Sequence, residues 1–161
     1  SIWGAIQSTE ISEMVKPVID EHGSADSQKS IGYMQTVYGL LGLSEYIRAC
    51  ADRMRLVREW LAFLEEFTVL LVPVSQEPPA LLNDDLKSLE RYRELLTAHK
   101  IMVAVNFLGL PAAVVSTGVV NGSPMGVQLI ATRYREDLAL DAAEVIESAT
   151  GILTQQLWKR K

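Results

Sequence analysis

Apolar positions recur along this chain with two periods, and the switch between them lays out the elements. From residue 1 to 22, Ile6, Ile11, Met14, Val15, Val18 and Ile19 predict helix, with Pro17 interrupting or starting a helical segment. Gly23 to Ser30 is polar throughout and reads as a loop. Ile31 to Gly42 carries three glycines, which weaken any helical pattern there. From Ser44, an N-cap residue type, to about Glu66 the pattern is strongly helical. Ile47, Cys50, Met54, Val57, Leu61 and Leu64 form one stripe, and Leu56, Trp60, Phe63 and Phe67 form a second beside it. Two adjacent stripes imply a helix contacted on more than one side. Arg48, Asp52, Arg55 and Glu59 then read as its solvated face.

The period shortens after that helix. Val69 to Val72 reads as a short buried strand closed by Pro73, followed by a stiff loop at Glu77-Pro78-Pro79. Asn83 to about Val105 returns to helical spacing, with Leu86, Leu89, Leu96 and Val103 inward and Asn83 or Asp84 as cap. Gly109 and Pro111 end that helix. Ala112 to Ser116 has the composition of a strand buried on both faces. Asn121-Gly122 predicts a tight hairpin because both residues tolerate the positive φ of a type I′ turn. Gly126 to Ala131 is the returning strand. Glu136 and Asp137 open a last helix, with Leu138, Ala142, Val145 and Ala149 as its core stripe. Strands separated by long helices make this an α/β unit, organised as a single domain over residues 1–161.

Composition narrows the function classes. A chain of 161 residues suffices for one sizeable core, burying about 70% of the unfolded surface. The net charge of −5 argues against a general nucleic-acid or anionic-membrane surface. No apolar run is long enough to span a bilayer. The single Cys50 excludes an intramolecular disulfide and suits a reducing compartment, hence an expected cytoplasmic location.

The close Ser/Lys cluster at Ser24, Ser27, Lys29 and Ser30 invites a serine-hydrolase reading. It lacks the glycines that would line a nucleophile and aim backbone donors at an oxyanion, so it reads as loop chemistry. Cys50 lies on an apolar stripe with no His nearby and reads as a small buried hydrophobe. His22 and His99 stand apart, so no metal site is expected. Asp84-Asp85 fits a helix start, and Gly118, Gly122 and Gly126 lack the Gly-Lys-Ser/Thr ending of a phosphate cradle. Tyr33, Tyr38, Trp60, Phe63 and Phe67 read as core aromatics. Trp158 to Lys161 is a short basic tail. Asn106, Thr117 and Gln128 each adjoin an expected buried strand, where they would satisfy backbone groups or shape a substrate pocket.

One run of residues carries more than local physics. Asn106, Gly109-Leu110-Pro111-Ala112, Ser116-Thr117-Gly118 and Gly122-Ser123-Pro124-Met125-Gly126-Val127-Gln128 follow one another in the order and spacing found near the C-terminus of the amidase signature family. Phe67 to Pro73 resembles that family's strand ending in proline, and the resemblance covers about residues 45–150. Ser116 departs from it by standing where the family usually has proline. The resemblance implies the C-terminal part of the amidase signature fold, a short mixed sheet with a hairpin covered by long helices. It also implies carbon–nitrogen bond hydrolysis by a serine, a second serine joined through a cis peptide, and a lysine, without metal or organic cofactor.

That family's Gly-Gly-Ser-Ser-Gly-Gly-type run occurs nowhere in this sequence. The chain opens on Ser1 rather than Met, and the expectation is the C-terminal portion of an amidase with no catalytic residue of its own. Its expected partners are then the N-terminal catalytic portion and a small-molecule amide, with Asn106, Thr117 and Gln128 shaping the acyl-side pocket. The alternative is a stand-alone binding or self-associating module of the same descent.

Overall fold

The computed structural model describes residues 1–158, so Lys159, Arg160 and Lys161 of the basic tail lie outside the described residues. Contacts divide the chain into two compact units, Ser1–Val57 with Ala80–Ala98, and Arg58–Pro79 with His99–Lys161.

The first unit is helical. Helix α1 (Ile2–Met14) and helix α2 (Lys16–His22) meet at Val15, and Pro17 sits in the first turn of α2, where its missing N–H costs nothing. The residues expected to form a polar loop are helical instead: α3 spans Ala25–Tyr38. The polarity misleads because Ser24 is an N-cap whose hydroxyl accepts the Ser27 N–H at 3.2 Å, and Ser27 and Ser30 behind it are half-buried. Side chains tie these helices together. Gln35 donates to Ser12 Oγ at 2.8 Å, and the Leu41 N–H donates to Thr9 Oγ1 at 2.9 Å. Tyr46 donates to Glu10 at 2.6 Å, and that carboxylate holds the phenol's pKa up at about 12. Trp3 meets Tyr38 edge-on, and a Cβ on Gly4 would lie 2.2 Å from the Tyr38 ring.

Helix α4 (Leu43–Glu66) starts one residue before the expected Ser44 cap. Its start is secured from the other side, by Glu45 accepting the Gly42 N–H at 2.9 Å. Of its two apolar stripes only Val57 and Leu64 are buried, while Ile47, Met54, Phe63 and Phe67 are exposed. The single helix expected over 83–105 is three pieces: a 3₁₀ turn Asp84–Leu86, α5 (Leu89–Ala98) and α6 (Lys100–Leu108). Neither Asn83 nor Asp84 caps α5. Ser88 does, accepting the Arg91 N–H at 3.0 Å. Asp84 is instead a buried carboxylate paired with Lys87 at 2.6 Å and Arg91 at 2.9 Å, and these two cations hold its pKa below 3.8.

The second unit is built on three strands, β1 (Val69–Pro73), β2 (Ala112–Val120) and β3 (Ser123–Ala131), in the order β1-β3-β2. Both pairings are antiparallel, so the expected mixed sheet is an antiparallel one. The hairpin turn is as expected, with Asn121 at φ 51° and Gly122 at φ 83°. Gly109 closes α6 in the left-handed region, at φ 65° and ψ 46°. Beyond it, Arg133 donates to the Leu108 carbonyl at 2.6 Å and the Gly109 carbonyl at 3.3 Å, satisfying acceptors at the helix end.

One face of this sheet carries Val115, Leu129, Val69 and Ala113 against Ala142, Ala143 and Ile146 of α7 (Glu136–Thr150). The expected burial of β2 on both faces fails, because Val114 points the other way and is 59% exposed. On β1, Leu71 is exposed although it pairs with Leu129 and so shares the face that carries α7. The inward residues of α7 are Ala139, Ala143, Ala142 and Ile146, whereas Val145 and Ala149 of the expected stripe face outward. Small alanines inward let the helix lie close to the strands. Helix α8 (Leu153–Trp158) follows.

Candidate functional site

The second face of the sheet is the one with chemistry on it. Cross-strand partners share a face, and so do residues two apart along a strand. Ala112 pairs with Ile130, Val114 with Gln128, and Ser116 with Gly126. Along β3 this face therefore reads Ile130, Gln128, Gly126, from apolar to polar to bare backbone.

A cavity lies at each end of that row. Beside Ile130, a partly open cavity of about 300 Å³ is lined by Trp60, Ile101, Ala104, Val105, Leu108 and Leu110, with Lys100 the single charged lining residue. Beside Gly126, about 320 Å³ is lined by Val114, Pro124 and Met125 on the hairpin, by Val74, Ser75, Glu77 and Pro79 after β1, by Ser116, and by His99. His99 reaches this cavity because the helix breaks there: it stands between α5 and α6 at φ −95°, ψ 9°. Apolar walls with a few polar groups are the usual lining of a small-molecule site.

The motif glycine at 126 has a steric reason. A Cβ there would stand 2.6 Å from the Val115 carbonyl oxygen, so the strands pass too close for any side chain. The neighbouring bulge has a visible cause too. Ser116 pairs with Gly126 and Gly118 with Met125, which leaves Thr117 as the extra residue of β2.

Of the three residues singled out from the sequence, Gln128 is buried on the middle of this face, and its side-chain oxygen has no hydrogen-bond partner among the described residues. Thr117 is exposed, its hydroxyl donating to the Met125 carbonyl at 3.4 Å. Asn106 is exposed on α6, its backbone carbonyl accepting the Gly109 N–H. None of the three hydrogen-bonds another. Glu77, His99 and Met125 were not foreseen as cavity residues. The one available signal was Ser116, the residue that breaks the expected proline.

The remaining candidates resolve as structure. Ser24 and Ser27 are joined at a helix cap, hydroxyl to hydroxyl at 3.0 Å, and Lys29 lies 5.6 Å over the Tyr33 ring. Cys50 is a half-buried thiol on α4. Among the described residues no group of His, Cys, Asp and Glu is placed to hold a metal ion. No helix among the described residues is long and apolar enough to cross a membrane.

In sequence and in fold the chain is similar to known proteins. The chain is 43% identical over 137 residues to an indoleacetamide hydrolase of Bradyrhizobium japonicum, a match covering 84% of this chain and 30% of that protein. It is 37% identical over 158 residues to an indoleacetamide hydrolase of Bradyrhizobium diazoefficiens, covering 98% of this chain and again 30% of the relative. The chain thus spans about a third of the length of the curated relatives it matches. In fold it superposes on a crystal structure of an amidase with a TM-score of 0.73 at 21% identity, over 93% of this chain and 35% of that one. The family model for amidases matches residues 4–140, so the likeness extends well before residue 45 and takes in the first helices. The chain belongs to the amidase family.

Proposed function

We propose that this chain is the C-terminal, supporting portion of an amidase, and that it supplies sheet, helices and part of the acyl-side pocket but no catalytic group. The observation that carries the reading is the family match over residues 4–140 in a chain spanning 30% of its relatives, with no Gly-Gly-Ser-Ser-Gly-Gly-type run. In the complete enzyme a lysine, acting through the bridging serine, takes the proton of the nucleophilic serine. That serine attacks the amide carbonyl, backbone N–H groups hold the oxyanion, the amine leaves, and water clears the acyl-enzyme. All of these groups lie in the N-terminal catalytic portion. Asn106, Thr117 and Gln128 are the proposed shaping residues of the acyl-side pocket, although none of the three lines the cavity beside Gly126. The indoleacetamide hydrolases among its relatives favour a small apolar acyl amide as substrate.

The test is an amidase assay of the polypeptide alone and after mixing with a separately produced catalytic portion of a relative. No turnover alone and turnover on mixing are expected. Turnover by this chain alone at an ordinary enzyme's rate overturns the reading.

A second reading, a stand-alone module that binds a partner or itself, is favoured by the exposed apolar side chains Phe63, Phe67 and Leu71. A monomeric mass in solution together with failure to bind an apolar dye counts against it.

A further inference from the structure

We propose that the cavity beside Ile130 is a binding site for a small apolar monocarboxylate, its tail laid on the apolar stripe of α6 and its charge held at the rim by Lys100. The site goes beyond the amidase reading and stands without it, since it follows from the lining of one cavity and no bond is made or broken there.

One helix builds most of the wall. Ile101, Ala104, Val105 and Leu108 recur along α6 at helical spacing, and all four line the cavity. Trp60 of α4, Leu110 after the helix and Ile130 of β3 complete the apolar lining. A volume of about 300 Å³ is at the small end of ligand sites, which suits a short chain. Only two lining side chains carry a polar atom, the Lys100 ammonium and the Trp60 indole, and both groups donate without accepting. The cavity beside Gly126 differs in kind, because Ser75, Glu77 and Ser116 supply acceptors to its lining. The complement of a donor-only apolar wall is an apolar body ending in an acceptor, and the single positive charge selects a negative one.

The charge is also placed where an anion can meet it. Lys100 opens α6, is exposed, and has no carboxylate paired to it among the described residues. A lysine stem lies along apolar surface while its ammonium stays in water, so an anion at the rim keeps part of its hydration and escapes the full cost of burial. One ammonium matches one carboxylate. A phosphate would bring more charge and more acceptor oxygens than this wall has donors to satisfy.

Octanoate, octan-1-ol and octylammonium share one tail and differ in the charge of the head. Their binding to the full 161-residue chain is measured by calorimetry and by the change in tryptophan fluorescence. Octanoate should bind about fivefold more tightly than octan-1-ol, near the most that a solvent-exposed ion pair supplies, and octylammonium should bind the most weakly. Added salt should narrow the gap between octanoate and octan-1-ol. Lys100→Met keeps the apolar cover of the stem and removes the charge; it should bring octanoate down to octan-1-ol and leave octan-1-ol unchanged. Trp60→Phe should remove the fluorescence change while calorimetry still records binding, which seats the ligand at this wall.

Octanoate binding no tighter than octan-1-ol or octylammonium in the unaltered chain overturns the proposal. So does the absence of saturable octanoate binding, the result expected if an apolar side chain of another polypeptide fills the cavity. A preference that survives Lys100→Met, or a fluorescence change that survives Trp60→Phe, overturns it as well. If a variant does not fold, the three heads and the salt series on the unaltered chain decide by themselves. Turnover on mixing tests the amidase reading separately, so either idea can fail without the other.

Discussion

The two units of this chain are held together by different means. In the second, a strand face and a helix face close on each other through Val115, Leu129 and Ala143, apolar groups that need only proximity. In the first, helices are joined one side chain at a time: Gln35 to Ser12, Leu41 to Thr9, Tyr46 to Glu10, Asp84 to Lys87 and Arg91. Nondirectional burial tolerates adjustment and scales with area, whereas directional pairs demand particular partners and contribute little each. Within the second unit the contrast repeats between the two faces of one sheet, closed by α7 on one side and left with cavities and an unpaired Gln128 on the other.

The largest effect should come from the closed face. Leu129→Ala leaves a void at 2% exposure and should lower the stability of the chain by about 3 kcal/mol in urea titration. A loss below about 1 kcal/mol would mean that this face is not the core of its unit. Next is Gly4→Ala, whose added Cβ runs into the Tyr38 ring at 2.2 Å; overpacking of this kind costs about 2 kcal/mol. An unchanged midpoint would show that the Tyr38 ring swings aside freely. Gly122→Ala puts a side chain at φ 83° and should cost about 1 kcal/mol. Hydrogen exchange confined to the hairpin would show whether that loss stays local.

Gln128→Met, the conservative probe of the open face, should change stability by less than about 1 kcal/mol and in the direction of a gain, since it removes an unpaired carbonyl. A large loss would mean that the carboxamide is already satisfied in solution. The smallest effect at neutral pH is ionic. The folded pKa of Asp84 lies below 3.8, so its contribution is present above that value and drains away as pH falls through the lower, folded one. Asp84→Asn should therefore flatten the acid limb of the stability–pH curve, and an unchanged limb would remove the ion pair from the account.

The second unit was readable in the sequence because its determinants are local. Asn121-Gly122 dictates a turn whatever surrounds it, Gly109 ends a helix by its own freedom, and alternation along 126–131 orients the strand. What failed there depended on neighbours: Val114 and Val145 look like core residues until the packing of α7 shows which side is covered. The first unit was harder to read because its order is written in pairs distant along the chain. Gln35 reaches back 23 positions to Ser12, Leu41 reaches 32 to Thr9 and Tyr46 reaches 36 to Glu10, whereas the Ser24 cap is local and was missed because serines populate loops as readily as caps. The cavity beside Gly126 joins residues from 74 to 126, and no spacing rule reaches across them.

Arg133 has a mechanical corollary. Its guanidinium grips the carbonyls of Leu108 and Gly109 from 25 and 24 positions downstream, and beside it the Ala131 N–H donates to the Pro111 carbonyl, so the base of the hairpin is tied at two points. Arg133→Met removes one of the two ties, and amide exchange should quicken near Ala131 while the tip at Asn121-Gly122 keeps its rate.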